Sequence, residues 1–360
     1  MGSLGSMVLQ DDDRLRIMEF GTMCGIPSAL NAVIKLGIPD ILSSSQDAPL
    51  SSAEIIAQIP ACGSSGSGAN LDRILRVLSS VGVFQESLHD GGIRKYGVTP
   101  LCRYLVTNPS NSGLPLSSWV TLNQDVVFMK TWEFLYQSVT TGADPFTAAH
   151  GKPVFDLTAN NPRFRGIFDS AMSDNSNAYM RLVVEAYDGF QGVRTLVDVG
   201  GGIGNSLRVI LGRHQGIKGI NFDLPHVISK APDFPGVEHV SGDMFDKVPQ
   251  GDVIFMKWIL HDWKDEACIT LLKNCYESLP SRGKVVVVDS ILPSGTNHSF
   301  GSRFALNMDL LMLAYTGGKE RTLEEFEALA NAAGFAEVKV VITLDFLSVL
   351  EMHRYSEKLI

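Results

Sequence analysis

The chain has 360 residues, of which 45% are hydrophobic, and its formal net charge is −9 at pH 7. A single core rarely grows beyond about 250–300 residues, so this length predicts two domains. The acidic balance argues against a general affinity for nucleic acid or anionic membrane, since both favour an excess of lysine and arginine. The five cysteines form no CxxC pair, and the chain shows neither a signal-peptide pattern nor an apolar run near 18 residues. These features predict a cytosolic protein without a zinc ribbon or a disulfide framework.

The first 115 residues are predicted to form a small helical domain. Apolar residues recur at helical spacing from Arg14 to Leu42, which predicts buried helices. Ser51 and Glu54 have the spacing of a capping box and predict the start of a short helix. A linker of small residues at 62–70 precedes another amphipathic helix at 71–84. Residues 91–106 predict a short hairpin followed by a helix.

Three helices followed by a small wing resemble a winged-helix unit, so DNA binding is an alternative for this domain. Residues 1–115 contain 8 lysines and arginines against 10 acidic residues. A phosphate-binding surface needs a clustered positive excess, which is missing here. Packing against a partner subunit is therefore the favoured role of this domain.

The remainder of the chain changes in pattern near residue 193. Residues 116–192 are helical in pattern and unusually rich in aromatic residues. From 193 onward, five short apolar runs alternate with helical stretches, which is typical of a parallel sheet covered on both faces. The predicted fold class of this part is α/β.

A glycine-rich loop follows the first predicted strand of this sheet, in the segment LVDVGGGIGNSLRVIL. The dinucleotide fingerprint GxGxxG fails, because Asn205 stands where the third glycine is required. The loop instead offers Gly200, Gly202 and Gly204, preceded by Asp198. A carboxylate repels a pyrophosphate and attracts an ammonium group, so this loop favours S-adenosylmethionine over a nicotinamide cofactor.

Two more acidic residues end the next two strands. Asp223 can accept hydrogen bonds from ribose hydroxyls, a feature that NAD enzymes share. Asp243 can bond the adenine amino group, with Met244 packed on the ring. Since the carboxyl ends of parallel strands meet at one edge, the three acids together predict an S-adenosylmethionine site, and a nicotinamide oxidoreductase is the weaker alternative.

A histidine, His261, follows the fourth strand, at the edge where ligands bind to such sheets. Asp289 ends the fifth strand, and Glu320 follows a glycine turn, where it could equally be a solvated charge. If both carboxylates approach His261, they fix its tautomer and stabilise the imidazolium that forms when it accepts a proton. Methyl transfer to a phenol needs such a base, because little phenolate exists at neutral pH. The expected place shows no carboxylate cluster at metal-ligand spacing, so no metal is predicted.

Several segments closely resemble plant small-molecule O-methyltransferases of the caffeic acid and flavonoid type, which depend on S-adenosylmethionine and not on a metal. The segments are LVDVGGGIGNSL, GINFDLPHVI, GVEHVSGDMF, FMKWILHDWKDE and GGKERT. The resemblance covers nearly the whole chain after the first fifteen residues. It implies a Rossmann-like methyltransferase domain at 116–360, whose part at 116–192 forms a helical substrate pocket. It also implies a winged-helix-like dimerisation domain at 1–115, and therefore a homodimer.

The resemblance implies a role for each matching residue. His261 would be the general base, flanked by Asp289 and Glu320. With the glycine motif, the implied cofactor contacts are Asp198, Gly200, Gly202, Gly204, Asp223, Leu224, Asp243, Met244 and Lys257. The implied acceptor pocket consists of Leu122, Asn123, Met129, Phe164, Phe168, Met172, Asn175, Trp258, Leu311, Met312 and Tyr315.

Two residues depart from the pattern of the caffeic acid branch, which usually has Glu in place of Asp289 and His in place of Asn175. Asn175 changes the polar lining of the predicted pocket and puts caffeic acid itself in doubt. Flavonoids, stilbenes, hydroxycinnamyl alcohols and aldehydes, and phenolic alkaloids remain candidate acceptors. An N-methyltransferase acting on an aromatic amine and a winged-helix, cofactor-binding regulator without catalysis are the alternatives to a phenol O-methyltransferase.

Overall fold

The computed structural model describes residues 12–45, 48–60, 62, 67–107, 115–295 and 299–355. It divides into two compact units, residues 1–124 and 125–360. Residues 63–66 of the predicted linker lie outside the described residues. Among the described helices no single one is long and apolar enough to cross a membrane, although the first two pass that test together as a bent pair.

The first unit is a set of short helices with one hairpin. Its elements are α1 (Asp12–Thr22), α2 (Gly25–Lys35), α3 (Ile38–Ser44), α4 (Ser52–Ile56), α5 (Gly68–Ser80), β1 (Phe84–His89), β2 (Ile93–Val98) and α6 (Ser117–Asn123), with a 3-10 helix at Cys102–Leu105. The predicted capping box is present, since the Ser51 side chain accepts from the Glu54 backbone N–H and Glu54 accepts from the Ser51 backbone.

The predicted burial of the first helical region is wrong for α1. Both α2 and α3 contribute buried residues, whereas none of the residues of α1 is buried. The side chains of Ile17, Met18 and Phe20 are more than half exposed. An apolar helical pattern indicates a surface that needs covering, but it does not tell which chain covers it.

The hairpin begins earlier than predicted. Strands β1 and β2 pair antiparallel, with Phe84 opposite Val98 and His89 opposite Ile93. The turn carries Gly91 and Gly92 in left-handed conformations that other residues rarely adopt. The helix expected after the hairpin is only the four-residue 3-10 helix at Cys102–Leu105. The wing therefore spans residues 84–98 rather than starting at residue 91.

The second unit is an α/β domain preceded by a helical segment. Its helices are α7 (Val126–Thr131), α8 (Leu135–Thr141), α9 (Pro145–His150), α10 (Val154–Asn160), α11 (Pro162–Ala186), α12 (Asn205–Arg213), α13 (Pro225–Ile228), α14 (Asp265–Ser278), α15 (Phe300–Tyr315) and α16 (Leu323–Ala333), with 3-10 helices at Trp132–Phe134 and Leu260–Asp262. Its strands are β3 (Thr195–Val199), β4 (Lys218–Asp223), β5 (Val237–Ser241), β6 (Val253–Lys257), β7 (Lys284–Ser290), β8 (Glu337–Leu344) and β9 (Leu347–His353).

The seven strands form one sheet in the order β5-β4-β3-β6-β7-β9-β8. The first five in this order are parallel, and β9 and β8 complete the sheet in antiparallel pairing. Consecutive residues of β7 are buried, as expected when helices cover both faces of a strand. The strand order reverses between β3 and β6, and the crevice outside their carboxyl ends is where such sheets bind ligands.

Candidate active site

The glycine-rich loop joins β3 to α12 and is fixed to the neighbouring strand. Gly200, Gly202 and Gly204 have φ angles of 68°, 58° and 89°, a region that side chains disfavour. The Gly200 N–H donates to the Phe222 carbonyl at 2.9 Å, and the Gly202 N–H donates to Asp223 Oδ2 at 2.8 Å. The loop therefore has one defined path beside the end of β4.

Close packing also explains two of the glycines, Gly200 and Gly201. A Cβ at Gly200 would lie 2.4 Å from Ile259 Cδ1, and a Cβ at Gly201 would lie 2.1 Å from Asn221 Oδ1. Asn221 is fully buried in β4, and its Nδ2 donates to the Gly202 carbonyl at 3.0 Å. Asn221 was not among the predicted site residues, although a polar residue within an apolar strand could have indicated it.

A cavity of about 500 Å³ opens beside this loop, within the second unit. Its lining includes eight of the nine predicted cofactor residues: Asp198, Gly200, Gly202, Asp223, Leu224, Asp243, Met244 and Lys257. Gly204 does not line the cavity; it is the residue preceding α12, and a Cβ there would lie 3.4 Å from His239 Cε1. The structure thus brings the predicted strand-end acids together at one edge of the sheet.

The polar groups of this cavity fit S-adenosylmethionine. Asp198 is buried, and its Oδ2 has no hydrogen-bond partner within the described part of the chain. Burial, with a further contribution from the charge of Asp223, raises the pKa of Asp198 to about 8. A cationic group such as the cofactor's α-ammonium would supply the missing partner. Asp223 already accepts from the backbone N–H groups of Gly202 and Leu224, which fixes its carboxylate at the end of β4.

Lys257, at the end of β6, is a half-buried residue that lines the same cavity. Its Nζ donates to Asn175 Oδ1 at 3.1 Å and to Ser176 Oγ at 3.4 Å. The ammonium also lies 3.9 Å from the centroid of the Trp258 ring. Burial lowers the pKa of Lys257 to about 7, against the opposing charges of two nearby carboxylates. The lysine is therefore held by α11 and by the indole that follows it in sequence.

Trp258 has a φ of 57°, an uncommon conformation for a residue with a large side chain. Two hydrogen bonds hold it there, because its backbone N–H donates both to the Val288 carbonyl at 3.1 Å and to Asp289 Oδ1 at 2.8 Å. Strained backbone of this kind persists where the surroundings determine it, and it is frequent at functional sites. Asp289 thus fixes the turn that leads from β6 to His261.

His261 lies in the 3-10 helix Leu260–Asp262 and is 4% exposed. Its Nδ1 is 2.9 Å from Glu320 Oε1. Glu320 is 1% exposed, so the alternative that it is a solvated charge is wrong. The Lys319 N–H donates to the His261 carbonyl at 2.9 Å, and a Cβ at Gly318 would lie 2.0 Å from that oxygen. The glycine before Lys319 therefore permits the close approach that brings Glu320 to the imidazole.

The charges around His261 determine its protonation. Burial disfavours the imidazolium, but the carboxylates of Glu320 and Asp262 outweigh burial and raise the pKa of His261 above its usual range. Asp262 Oδ1 is 3.7 Å from His261 Nε2, and burial raises the pKa of Asp262 to about 6. Burial also raises the pKa of Asp289 to about 7. Asp289 acts on the imidazole through its charge, while Glu320 makes the direct hydrogen bond.

Arg321, which was not among the predicted site residues, holds this segment in place. Arg321 is fully buried, and its guanidinium donates to the Leu260 carbonyl at 2.7 Å and to the Trp263 carbonyl at 2.8 Å. The same group forms an ion pair with Asp265 at 2.8 Å. Its position directly after Glu320 in the sequence could have indicated that it lies near the site. Arg321 thereby fixes both carbonyls that flank the His261 turn.

The predicted acceptor residues do not all line the cavity. Phe168, Met172 and Trp258 line the cavity. Asn175 contacts Lys257 and is not a lining residue. In the same unit Phe128 stacks on Tyr315, with ring centroids 3.7 Å apart, and meets the ring of Phe164 edge-on at 5.2 Å.

The other five predicted acceptor residues are buried or half-buried and do not line the cavity. Leu311 and Met312 are buried on α15, and Met129 is half-buried on α7. Leu122 and Asn123 belong to the first unit, where Leu122 is buried on α6 and Asn123 is half-buried. These side chains therefore stay predicted acceptor contacts.

Comparison with known proteins gives the family. Residues 132–336 match the O-methyltransferase domain, and residues 18–108 match the O-methyltransferase dimerisation domain. The chain is 46% identical to desmethyl-yatein O-methyltransferase of Sinopodophyllum hexandrum, over 95% of this chain and 98% of that protein. It is 43% identical to a caffeic acid 3-O-methyltransferase of Clarkia breweri, over 94% of this chain and 96% of that protein.

Solved structures agree with this assignment. A methyltransferase of calicheamicin biosynthesis, solved with S-adenosylhomocysteine (SAH) bound, superposes with a TM-score of 0.82 and 28% identity. The alignment covers 96% of this chain and all of that one. The chain therefore belongs to the O-methyltransferase family and is an S-adenosylmethionine-dependent O-methyltransferase with a dimerisation domain at its N-terminal side.

Proposed function

We propose that this enzyme methylates a phenolic hydroxyl of a small, planar aromatic acceptor of the phenylpropanoid, stilbene or flavonoid kind, with His261 as the general base. The observation that carries the proposal is the buried pair of His261 and Glu320 at the carboxyl edge of the sheet, 2.9 Å apart. A base in this position is needed for a hydroxyl acceptor, since a phenol with a pKa of about 10 is mostly protonated at neutral pH.

Glu320 makes His261 a stronger base than free imidazole. Transfer of a proton from a phenol to an ordinary imidazole raises the free energy, because the imidazolium has a lower pKa than the phenol. The carboxylate of Glu320 raises the pKa of His261 toward that of the phenol, which brings the transfer closer to balance. The same hydrogen bond fixes Nδ1 as the donor, so that Nε2 of the neutral imidazole is the atom that takes the proton.

The bound cofactor supplies an activated methyl group on a positively charged sulfur. A positive charge near His261 lowers the pKa of the imidazole and increases the neutral fraction that can accept a proton. Asp289 holds the Trp258 backbone and, with Asp262, stabilises the imidazolium once it forms. The chain's own task is thus to align the hydroxyl oxygen and remove its proton.

We assign cofactor binding to the predicted strand-end and loop residues. The Asp198 carboxylate is suited to the ammonium group, Asp223 to the ribose hydroxyls, and Asp243 with Met244 to the adenine. Gly200, Gly202, Leu224 and Lys257 complete the lining of the cavity. Gly204 contributes indirectly, through the turn into α12. The lining of this cavity by eight of the nine predicted cofactor residues supports the assignment.

The phenolic class of the acceptor is supported by two observations. The aromatic and thioether side chains of Phe168, Trp258 and Met172 line the cavity and suit a flat ring. Relatives with 43–46% identity are named for the methylation of desmethyl-yatein, tricetin and caffeic acid. We therefore expect an aromatic acceptor with a free hydroxyl.

The test is a screen of the purified protein by mass spectrometry, with S-adenosylmethionine and a panel of plant phenolics. Each active phenol is paired with its methyl ether, which lacks the free hydroxyl, and with the corresponding aromatic amine. We expect a mass gain of one methylene for the phenol and none for its ether. Methylation of the amines alone would overturn the phenolic proposal in favour of N-methylation.

We further propose that residues 1–115 act as a dimerisation domain, that residues 116–360 act as the catalytic domain, and that the enzyme is a cytosolic homodimer. The match of residues 18–108 to the dimerisation domain and the exposed apolar side chains of α1 support the dimer. Light scattering coupled to size-exclusion chromatography should give twice the mass of one chain. A stable monomer at micromolar concentration would contradict the dimer.

A further inference from the structure

Helix α11 has five consecutive polar residues at 173–177, and four of them form hydrogen bonds to α12 or to Lys257. Ser173 Oγ accepts from Asn205 Nδ2 at 2.7 Å, and Asn177 Oδ1 accepts from Arg208 Nη2 at 2.7 Å. Both partners lie on α12, the helix that follows the glycine loop. This part of α11 is therefore bonded to the element that presents the cofactor loop.

Asn175 belongs to the same pattern. Its side chain is buried, and Oδ1 accepts a hydrogen bond from Lys257 Nζ at 3.1 Å. Lys257 and Ser176 line the cavity, whereas Asn175 is not among its lining residues. Asn175 therefore does not contact a ligand in the cavity directly. It can affect such a ligand through its hydrogen bond to Lys257.

We propose that Asn175 is a positioning residue for Lys257, and that it sets the affinity for the cofactor rather than the choice of acceptor. This inference rests on the proposed role of Lys257 in cofactor binding. It differs from the expectation from sequence, which placed Asn175 in the lining of the acceptor pocket. Without Asn175, the ammonium keeps the more distant acceptor Ser176 Oγ at 3.4 Å and the Trp258 ring, whose centroid is 3.9 Å away.

The hydrogen bond from Lys257 to Asn175 affects how much of the lysine is protonated. Burial lowers the pKa of Lys257 to about 7, and the charges of Asp289 on β7 and Asp198 on β3 oppose that effect. The ammonium is thus near its titration point at neutral pH. A hydrogen-bond acceptor such as the Asn175 amide oxygen favours the charged form, so its removal reduces the fraction of Lys257 that is protonated.

The experiment measures binding of SAH by isothermal titration calorimetry, at pH values from 6 to 8.5, in the full chain and four variants. Asn175→Ala removes the acceptor atom, Asn175→Asp replaces the amide with a carboxylate of the same shape, and Lys257→Met removes the cation. Arg181→Ala is the matched control, because Arg181 is an exposed residue on the same helix. Titration of SAH itself is common to all variants and cancels in the comparison.

We expect Asn175→Ala to weaken SAH binding about tenfold at pH 7.5, since hydrogen bonds to charged groups contribute about 1.5–3 kcal/mol and about 1.4 kcal/mol is tenfold. The pH at which the affinity declines should move down in Asn175→Ala and up in Asn175→Asp. Arg181→Ala should match the parent. For two phenolic acceptors, the ratio of kcat/KM values should change less than about twofold in Asn175→Ala.

Opposite shifts of the pH profile distinguish positioning from a general packing defect, which would move both variants in the same direction. If Lys257→Met weakens SAH binding and Asn175→Ala does not, the inference about Asn175 is overturned. If Lys257→Met binds SAH as the parent does, the proposed role of Lys257 fails first and the inference fails with it. A changed acceptor ratio at unchanged SAH affinity would return Asn175 to the acceptor pocket.

Discussion

Two histidine–glutamate pairs of nearly equal length lie at opposite ends of the central strands. At the carboxyl edge, His261 Nδ1 is 2.9 Å from Glu320 Oε1. At the other edge, His353 Nε2 is 2.8 Å from Glu351 Oε2, and His353 pairs with Lys284, the first residue of β7. The two pairs have similar lengths, but the two glutamates differ in the number of hydrogen bonds that their carboxylate oxygens accept.

Both carboxylate oxygens of Glu351 have hydrogen-bond partners. Its Oε1 accepts from the Tyr187 hydroxyl and from Lys284 Nζ, and its Oε2 faces His353. Burial opposes ionisation, but the hydrogen bonds from His353, Lys284 and Tyr187 outweigh it and lower the pKa of Glu351 to about 2. A network in which every oxygen has a partner stabilises the fold and leaves little for a ligand to add.

The carboxylates at the site edge are incompletely bonded. Glu320 Oε2, Asp289 Oδ2 and Asp198 Oδ2 are buried and have no hydrogen-bond partner among the residues that the structure describes. Burial raises the pKa values of Asp289 and Asp198 to about 7 and about 8. Buried acids that lack partners reduce stability and are typical of sites that a ligand completes. Completeness of hydrogen bonding, and not the pairing itself, distinguishes His261–Glu320 from His353–Glu351.

Matched substitutions of the two histidines give the largest expected contrast. His261→Ala should lower kcat/KM by about 10²–10⁴-fold while SAH binding stays within about threefold of the parent, because a positioned base acts on the acceptor proton. His353→Ala should leave kcat/KM within about threefold and lower the unfolding midpoint instead. Steady-state kinetics and calorimetry measure both. Retention of more than about a tenth of the activity in His261→Ala would remove it from the role of base.

Glu351→Gln should lower the free energy of unfolding by about 2 kcal/mol at pH 7, since hydrogen bonds to charged groups contribute about 1.5–3 kcal/mol. The pKa of Glu351 is lower in the folded state than its ordinary value of 4.5, so its ionised form stabilises the fold above pH 4.5. That contribution is lost as the pH falls from 4.5 toward 2. Urea unfolding at pH 7, 5 and 3.5 should show the difference from the parent shrinking. A constant difference would contradict the charge argument.

Glu320→Gln should shift the dependence of rate on pH. Without the carboxylate the pKa of His261 falls, so the neutral imidazole persists to lower pH and the acid limb of the pH–rate profile moves down. The plateau of kcat/KM should fall about tenfold, because a weaker base removes the phenol proton. A profile recorded from pH 5.5 to 9.5 tests both effects. An unshifted acid limb would show that Glu320 does not control the titration of His261.

Asp289→Asn should have the smallest effect of these substitutions. It should raise the free energy of unfolding, whereas Glu351→Gln lowers it. The pKa of Asp289 is raised to about 7 from an ordinary 3.8, so the parent loses stability as the pH rises from about 4 to about 7. The amide keeps the acceptor for the Trp258 N–H and removes the charge. Removing the charge favours the variant at pH 8, but the amide N–H₂ takes the buried place of Asp289 Oδ2, which has no partner among the described residues. The net gain over the parent should therefore be only on the order of 1 kcal/mol. A lower free energy of unfolding than the parent at pH 8 would contradict this account.

The sequence predicted the parts of the site that depend on local pattern. The glycine spacing and the polar residues at strand ends are local signals, and Asp198, Asp223, Asp243 and Lys257 do line one cavity. The contact of Glu320 with His261 was left open by the local pattern, in which Glu320 could equally be a solvated charge. It depends on the close packing of Gly318 against the His261 carbonyl.

Other features depend on information that no local pattern carries. The rotation of α11 about its axis decides that Asn175 meets Lys257, and helical periodicity alone does not fix which neighbour a buried polar residue meets. Burial of Arg321 depends on carbonyl groups 58 and 61 residues away. The exposure of α1 was mispredicted, because an apolar pattern is the same whether its own chain or another covers it.

The central claim, that His261 removes the proton of the acceptor hydroxyl, is tested most directly by changing the acidity of the acceptor. The kcat/KM of the parent and of His261→Ala would be compared at pH 8 for an ordinary phenol and for a nitro-substituted analogue that is mostly ionised at that pH. We expect the loss caused by His261→Ala to be at least about tenfold smaller for the ionised analogue, which no longer needs a base. An equal loss for both acceptors would contradict a base role for His261.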